Sequence, residues 1–139
     1  EAGSVHLETW PEIDAGWRDE ALAAKWAAVR EVRSLAFNAL ERARNEKLIR
    51  SGLEAALRIE VMNDHHWQAV RQETPARLAE TFIVSSVEVV ENVQPMGGIA
   101  LGTDVEKTSF EKCGRCWRHL PEVVEDGALC GRCEEVVNA

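Results

Sequence analysis

Four cysteines near the C-terminal end of the chain carry the clearest chemistry in the sequence. They form two pairs, with two residues inside each pair and 13 residues between the pairs: Cys113, Cys116, Cys130 and Cys133. A C-x2-C pair can curl around a metal ion so that its sulfurs reach two corners of a tetrahedron, and the loop brings the second pair to the other two. Four thiolates favour zinc or iron and leave no position for water. We predict one structural zinc ion, with iron, disulfides and free buried cysteines as the alternatives.

Both cysteine pairs enclose the same dipeptide, Gly-Arg. Glycine at this place permits the tight backbone that directs amides at the sulfurs, so Gly114 and Gly131 support the metal prediction. A closed four-thiolate site performs no Lewis-acid chemistry. The sequence contains no nucleophile-elbow serine and no glycine-rich loop ahead of a lysine, and its carboxylates are scattered. We therefore predict no catalytic residue in this chain.

One aromatic and three basic residues surround the first cysteine pair: Lys112, Arg115, Trp117 and Arg118. An exposed indole can stack on an unpaired base, and neighbouring cationic groups can hold phosphate. We predict that these four residues contact RNA. The alternative for Trp117 is a packing role over the zinc knuckle.

The histidines are not needed as ligands. His119 lies three residues beyond Cys116, but four thiolates already complete a shell, so we expect it at the surface. His65 and His66 have no carboxylate at metal spacing and are expected to be surface or partly packed residues.

The charge is distributed unevenly. A net charge of -8 taken alone argues against a nucleic-acid partner. Residues 17–50, however, carry eight Lys and Arg against five Asp and Glu, and residues 107–118 carry four against one. Two basic segments on an acidic chain are compatible with RNA binding, and solvated faces without a partner are the alternative.

A long helix is predicted from Trp17 to about Ile49, with Asp14 as its candidate cap. At about nine turns it is longer than a small domain needs, so we expect a neighbouring domain against it. Arg33 and Arg44 lie close to its apolar stripe, where RNA contact and snorkelling explain them equally well. The stripe recurs at steps of three and four and consists of Leu22, Trp26, Val29, Val32, Ala36, Leu40 and Ala43.

The middle of the chain predicts a small sheet with short helices. Residues 53–61 alternate apolar and polar side chains, as in a strand with one buried face. Asn63 caps a predicted helix through Glu73, and Thr74 with Pro75 starts another that reaches about Glu80. Further strands and a turn are predicted at residues 82–90, 94–98 (the turn), 99–101 and 105–110. This order predicts an α+β fold with helices on one side of a small mixed or antiparallel sheet.

The chain shows no apolar run long enough for a membrane span and no signal-peptide pattern. The cysteines cannot staple the preceding hundred residues, which indicates a reducing compartment. We expect a soluble, cytoplasmic protein.

These motifs together resemble one known family. The run Lys112-Cys113-Gly114-Arg115-Cys116-Trp117, followed by Leu129-Cys130-Gly131-Arg132-Cys133, resembles the C-terminal zinc module of bacterial-type isoleucyl-tRNA synthetase. Nearly the whole chain is covered, because upstream landmarks stand in the family's order: Ser4-Val5-His6-Leu7 with Trp10-Pro11, Glu41-Arg42-Ala43-Arg44, Lys47 with Ile49, Gly52-Leu53-Glu54-Ala55 and Phe82-Ile83-Val84-Ser85.

The resemblance implies the C-terminal part of a class I synthetase. Residues 1–50 would be the tail of the helical anticodon-binding domain, 51–106 a small α/β junction and 107–139 the zinc module. The full enzyme of that family uses ATP and magnesium to charge isoleucine tRNA. Its class I signature peptides and editing domain are absent here, so a non-catalytic fragment is implied, with tRNA and the rest of the synthetase chain as partners.

Zinc ligation by the four cysteines carries over from the family, and so does contact of Arg115 and Trp117 with the anticodon region. The short segment after Cys133 is acidic where a basic tail is expected in relatives, which argues against a terminal RNA contact. Two other functions stay open: the zinc-ribbon end of a DNA-repair glycosylase, and a purely structural zinc-held clamp.

Overall fold

The computed structural model describes residues 3–92 and 101–139. Within this part, four α-helices and three strands make up the α+β fold that the sequence predicts, and the prediction is confirmed. The predicted turn at 94–98 and the start of the strand at 99–101 lie outside the described residues. In chain order the elements are α1 (Glu20–Asn45), β1 (Ala55–Val61), α2 (Asp64–Val70), α3 (Pro75–Phe82), β2 (Ser86–Glu91), β3 (Leu101–Lys107) and α4 (Gly131–Val137).

The long helix α1 is shorter at both ends than the periodicity predicts. Its N-cap is Asp19, whose side chain accepts a hydrogen bond from the Leu22 amide at 2.9 Å. Asp14 instead caps a separate 3₁₀ turn, Ala15–Trp17. At the other end Lys47 adopts a left-handed backbone with φ 62°, which an α-helix cannot continue. The apolar periodicity therefore continues through the turns at both ends of α1, although these turns are not α-helical.

The three strands form a mixed sheet in the order β2-β1-β3. The central strand β1 runs parallel to β2 and antiparallel to β3. Its side chains alternate as period two requires: those of Ala55, Leu57, Ile59 and Val61 are buried, and Arg58 is exposed. Because the connection from β1 to β2 passes through α2 and α3, these helices can pack together with α1 on the buried face.

The segment after α3 corrects the prediction of a strand beginning at Phe82. Phe82 is the last residue of α3 and is fully buried. Ile83 then takes the left-handed conformation with φ 58°, and its amide donates to the helix carbonyls of Ala79 and Glu80. Strand β2 begins only at Ser86.

Two separate apolar clusters hold the described residues together. The larger joins α1, α2, α3 and the sheet. The smaller is formed by three of the cysteines and Val123, with Cys116, Leu120, Ala128 and Leu129 packed against them. No residue belongs to both clusters. We call residues 20–92 with 101–107 the body, and residues 108–139 the zinc module.

His66 is more deeply buried than expected. Its side chain is 4% exposed, and its Nε2 lies 2.7 Å from Oε2 of Glu31. The burial arises because α2 packs against α1, so that the histidine faces the long helix. The sequence shows helical spacing but not which helices pack together.

No helix in the described part of the chain is long and apolar enough to cross a membrane.

Candidate metal centre and adjoining surface

The four cysteine sulfurs converge as the spacing predicts. All four lie within 4.8 Å of one another, and Sγ of Cys116 lies 3.8 Å from Sγ of Cys130. A tetrahedral zinc ion with Zn–S bonds of about 2.3 Å requires sulfurs roughly 3.8 Å apart, whereas a disulfide requires about 2 Å. The donor set therefore fits one zinc ion, and its chemistry is that of a closed structural site.

The protein surroundings favour a thiolate at one corner of this site. Burial raises the pKa of the Cys113 thiol, but backbone amides of Cys116, Arg115 and Cys130 donate to its sulfur and together lower the pKa to about 6. Burial and the neighbouring thiols raise the pKa of Cys130 to about 12. A zinc ion would have to displace the Cys130 proton on binding.

The fold of the first knuckle depends on a close approach between two loops. The amide of Gly114 donates to the Ala128 carbonyl at 3.1 Å, and the amide of Gly127 donates to the Lys112 carbonyl at 2.9 Å. A β-carbon at position 114 would lie 2.4 Å from the Gly127 oxygen, so only glycine fits there. A β-carbon at Gly131 would meet nothing nearer than 3.9 Å. The sequence argument for glycine therefore holds at Gly114 and not at Gly131.

Trp117 is displayed rather than packed. Its side chain is 64% exposed, and its backbone has a left-handed φ of 65°. Lys112 and Trp117 line a shallow cleft of about 250 Å³, whose remaining walls come from residues 51–54 of the body and from His119. The structure thus brings a base-sized aromatic surface and a cation together at the edge of the zinc module.

The other two predicted RNA contacts differ in their surroundings. Arg115 is exposed, with its Nη1 3.9 Å from Sγ of Cys133. The side chain of Arg118 is only 17% exposed, and its guanidinium donates to the Ser85 carbonyl at 3.1 Å. Arg118 therefore faces the body, and its role in RNA contact stays a prediction.

His119 is half-buried rather than free at the surface. Its amide donates to Oγ of Ser85 at 2.8 Å, and its Nδ1 lies 2.7 Å from the Phe110 carbonyl. The sequence places Ser85 in the Phe82-Ile83-Val84-Ser85 landmark but does not indicate this contact, because Ser85 is 34 residues away from His119 in the chain.

Part of the zinc module is similar to a known zinc-finger family. Residues 110–136 match the zinc finger found in FPG and IleRS. The match spans both cysteine pairs and the loop between them, so the zinc module is similar to fingers of that type.

The similarity extends along nearly the whole chain to isoleucine–tRNA ligases. The chain is 38% identical over 137 residues to that of Zymomonas mobilis, covering 99% of this chain and 14% of the ligase. It is 34% identical to that of Kosmotoga olearia and 37% identical to that of Mesorhizobium japonicum, covering 96% and 93% of this chain and 15% and 14% of those ligases. The resemblance seen in the motifs is confirmed, and the chain spans about one seventh of the length of these relatives.

Proposed function

We propose that this chain is the C-terminal, tRNA-recognising part of an isoleucine–tRNA ligase, and that its zinc module contacts the anticodon region of the tRNA. The complete ligase would activate isoleucine with ATP and magnesium and charge its tRNA in the cytoplasm. Residues outside this chain would perform the chemistry. The four cysteines would hold one zinc ion, which shapes the knuckle and takes no part in the reaction.

The conformation of Trp117 is the observation that carries this proposal. A left-handed backbone costs a non-glycine residue roughly 1–2 kcal/mol, and the tryptophan held there nevertheless keeps 64% of its surface exposed. Packing uses only the smaller part of the ring, and the larger part is available to a partner. Stacking of an unpaired base on an indole contributes about 1–3 kcal/mol, and a base-binding role is therefore consistent with an exposed tryptophan at this position.

The charges near Trp117 support the same function. Lys112 and Arg115 are exposed on the same knuckle, where they are available to phosphate. The chain as a whole is acidic, with a net charge of -8. Repulsion from the acidic remainder would confine RNA to this basic edge.

The N-terminal residues support the rest of a ligase as a partner. Large apolar side chains in residues 7–22 are exposed, including Trp10 at 95% and Trp17 at 74%. Such a concentration of exposed apolar groups is typical of a surface that another part of a protein covers. The relatives supply a candidate cover, since about six sevenths of their length lies outside the matched segment. The glycosylase alternative has less support, because it accounts for the zinc finger but not for the similarity of the remaining residues to isoleucine–tRNA ligases.

The test is binding of a tRNA anticodon stem-loop to the zinc-loaded chain, followed by NMR of the tryptophan indole protons. We expect the Trp117 signal, identified by its loss in Trp117→Ala, to shift with a stem-loop bearing the isoleucine anticodon. We also expect weaker binding of a stem-loop with a different anticodon and a decrease in affinity with salt.

The matched control is Trp10→Ala, which removes an even more exposed indole outside the module. It should leave the affinity unchanged, whereas Trp117→Ala should reduce it about tenfold or more. Equal affinity for the two stem-loops, measured at concentrations up to the millimolar range, would contradict anticodon recognition. The purely structural zinc-held clamp would then be the remaining function of the module.

A further inference from the structure

The junction between the body and the zinc module is polar. The two apolar clusters share no residue, so neither is completed by the other. Between them lies an open cavity of about 520 Å³, lined by Ile83 and Val84 of the body and by Cys116, Arg118 and Arg132 of the module. A junction without a common core can hold its angle only through directional contacts.

Ser85 supplies two of those contacts from a buried position. It is 4% exposed and immediately precedes β2. Its Oγ accepts the His119 amide at 2.8 Å and donates to the Leu53 carbonyl, while its own carbonyl accepts from Arg118 at 3.1 Å. Because its amide also donates to the Ala55 carbonyl at 3.1 Å, Ser85 is fixed to the central strand. The module is thereby tied to the central strand of the sheet.

Glu80 supplies a second point of attachment on α3. Its Oε1 lies 3.1 Å from Nη1 of Arg132 and 3.9 Å from Nη1 of Arg118. Arg118 immediately follows Trp117, and Arg132 lies inside the second cysteine pair. One carboxylate therefore joins both knuckles to the same helix end. The amide of Thr108 also donates to the Glu54 carbonyl at 2.8 Å, next to the covalent connection. The attachment points at Ser85 and Glu80 lie away from that connection, and two of them restrict rotation about it in a way that one cannot.

We propose that Ser85 and Glu80 are positioning residues that fix the orientation of the zinc module on the body, and so set the direction in which Trp117 faces. The consequence for RNA rests on the function proposed above. Pre-set orientation lowers the entropy lost on binding, so a module that swings freely should bind the same RNA more weakly.

The first part of the test measures orientation without RNA. Residual dipolar couplings are recorded on the zinc-loaded 139-residue chain and on the double variant Ser85→Ala/Glu80→Gln. The control is Ser86→Ala/Glu91→Gln, which makes the same chemical changes at exposed positions of β2. Metal analysis and thiol titration check that every variant keeps one zinc and four protected thiols.

In the parent chain and in the control, we expect one alignment tensor to describe both the body and the zinc module. In the double variant, we expect the body and the zinc module to require separate tensors. A single tensor in the double variant, with zinc retained, would overturn the proposal. If the double variant does not fold, Glu80→Ala alone decides in the same way, since this side chain is half-exposed and outside the core.

The second part measures affinity for the anticodon stem-loop. A loss of about threefold to tenfold in the double variant, with none in the control, supports a positioning role. An unchanged affinity together with two tensors would overturn the link to RNA. If the parent chain itself does not bind the stem-loop, the proposed function fails, while the dipolar couplings still decide the positioning role.

Discussion

The carbonyl oxygen of Gly127 occupies the space that a side chain at Gly114 would need: a β-carbon there would lie 2.4 Å away. We predict that Gly114→Ala forces the two loops of the zinc module apart. Overpacking of this kind costs about 1–3 kcal/mol, so zinc should be lost at a lower chelator concentration. The measurement is zinc release against a competing chelator, followed by a chromogenic indicator.

Gly131→Ala is the matched control, because it stands at the same place in the second Cys-Gly-Arg-Cys run and has room for a β-carbon. It is the first residue of α4, where alanine suits the helix and should raise stability by about 0.4–1 kcal/mol. Equal sensitivity of the two variants would mean that the close contact between the loops does not matter.

Removal of zinc should unfold the module and leave the body folded. The cluster around the cysteines contains few apolar side chains, and none of them belongs to the larger core. Without metal, few contacts therefore stabilise the module. We expect the amide signals of residues 110–137 to collapse after chelation while those of β1 and α1 persist. Cys113→Ser should have the same effect. Loss of the body signals as well would show that the two cores depend on each other.

Trp117→Gly should separate stability from RNA binding. Glycine adopts the left-handed conformation of this position at no steric cost, so the module should become more stable by about 1 kcal/mol. Binding of the anticodon stem-loop should nevertheless fall as far as it does in Trp117→Ala. Thermal unfolding of the zinc-loaded chain gives the first quantity. A less stable variant would show that the ring packs more tightly than its exposure indicates.

Loss of the Glu31 carboxylate should destabilise the body. His66 is buried, and its Nε2 has Glu31 as partner. Glu31→Ala leaves that nitrogen without its partner, at a cost of about 1–3 kcal/mol. Glu31→Gln keeps an acceptor and a donor at the same place and should lose much less. Urea unfolding followed by circular dichroism measures both, and equal losses would contradict a role for this hydrogen bond.

Local patterns predicted much of the fold and the metal site. The period of two over β1, the Thr74-Pro75 start of α3 and the cysteine spacing each depend on neighbours in the chain, and the structure has β1, α3 and the cluster at these places. The start of α1 was predicted incorrectly because Asp14 and Asp19 are equally good caps by residue type. The backbone, rather than composition, decides between them.

The errors with larger consequences concern contacts between distant segments. Ile83 is β-branched, and β-branched residues favour strands. In the structure, however, Ile83 is the left-handed residue that ends α3. Likewise the chain neighbours of Arg118 do not show that its guanidinium donates to the Ser85 carbonyl, 33 residues away, and its role in RNA contact stays a prediction. Sequence periodicity contains no information about which surface a charged side chain meets across a junction.

The polar junction has an evolutionary consequence. A module with its own small core and its own metal ligands requires few contacts from the rest of a protein. A hydroxyl, a carbonyl and a carboxylate at suitable distances are enough to attach it. Such a unit can be transferred between proteins without redesign of the host interior. The matching finger occurs in two kinds of protein, FPG and IleRS, as this portability leads one to expect.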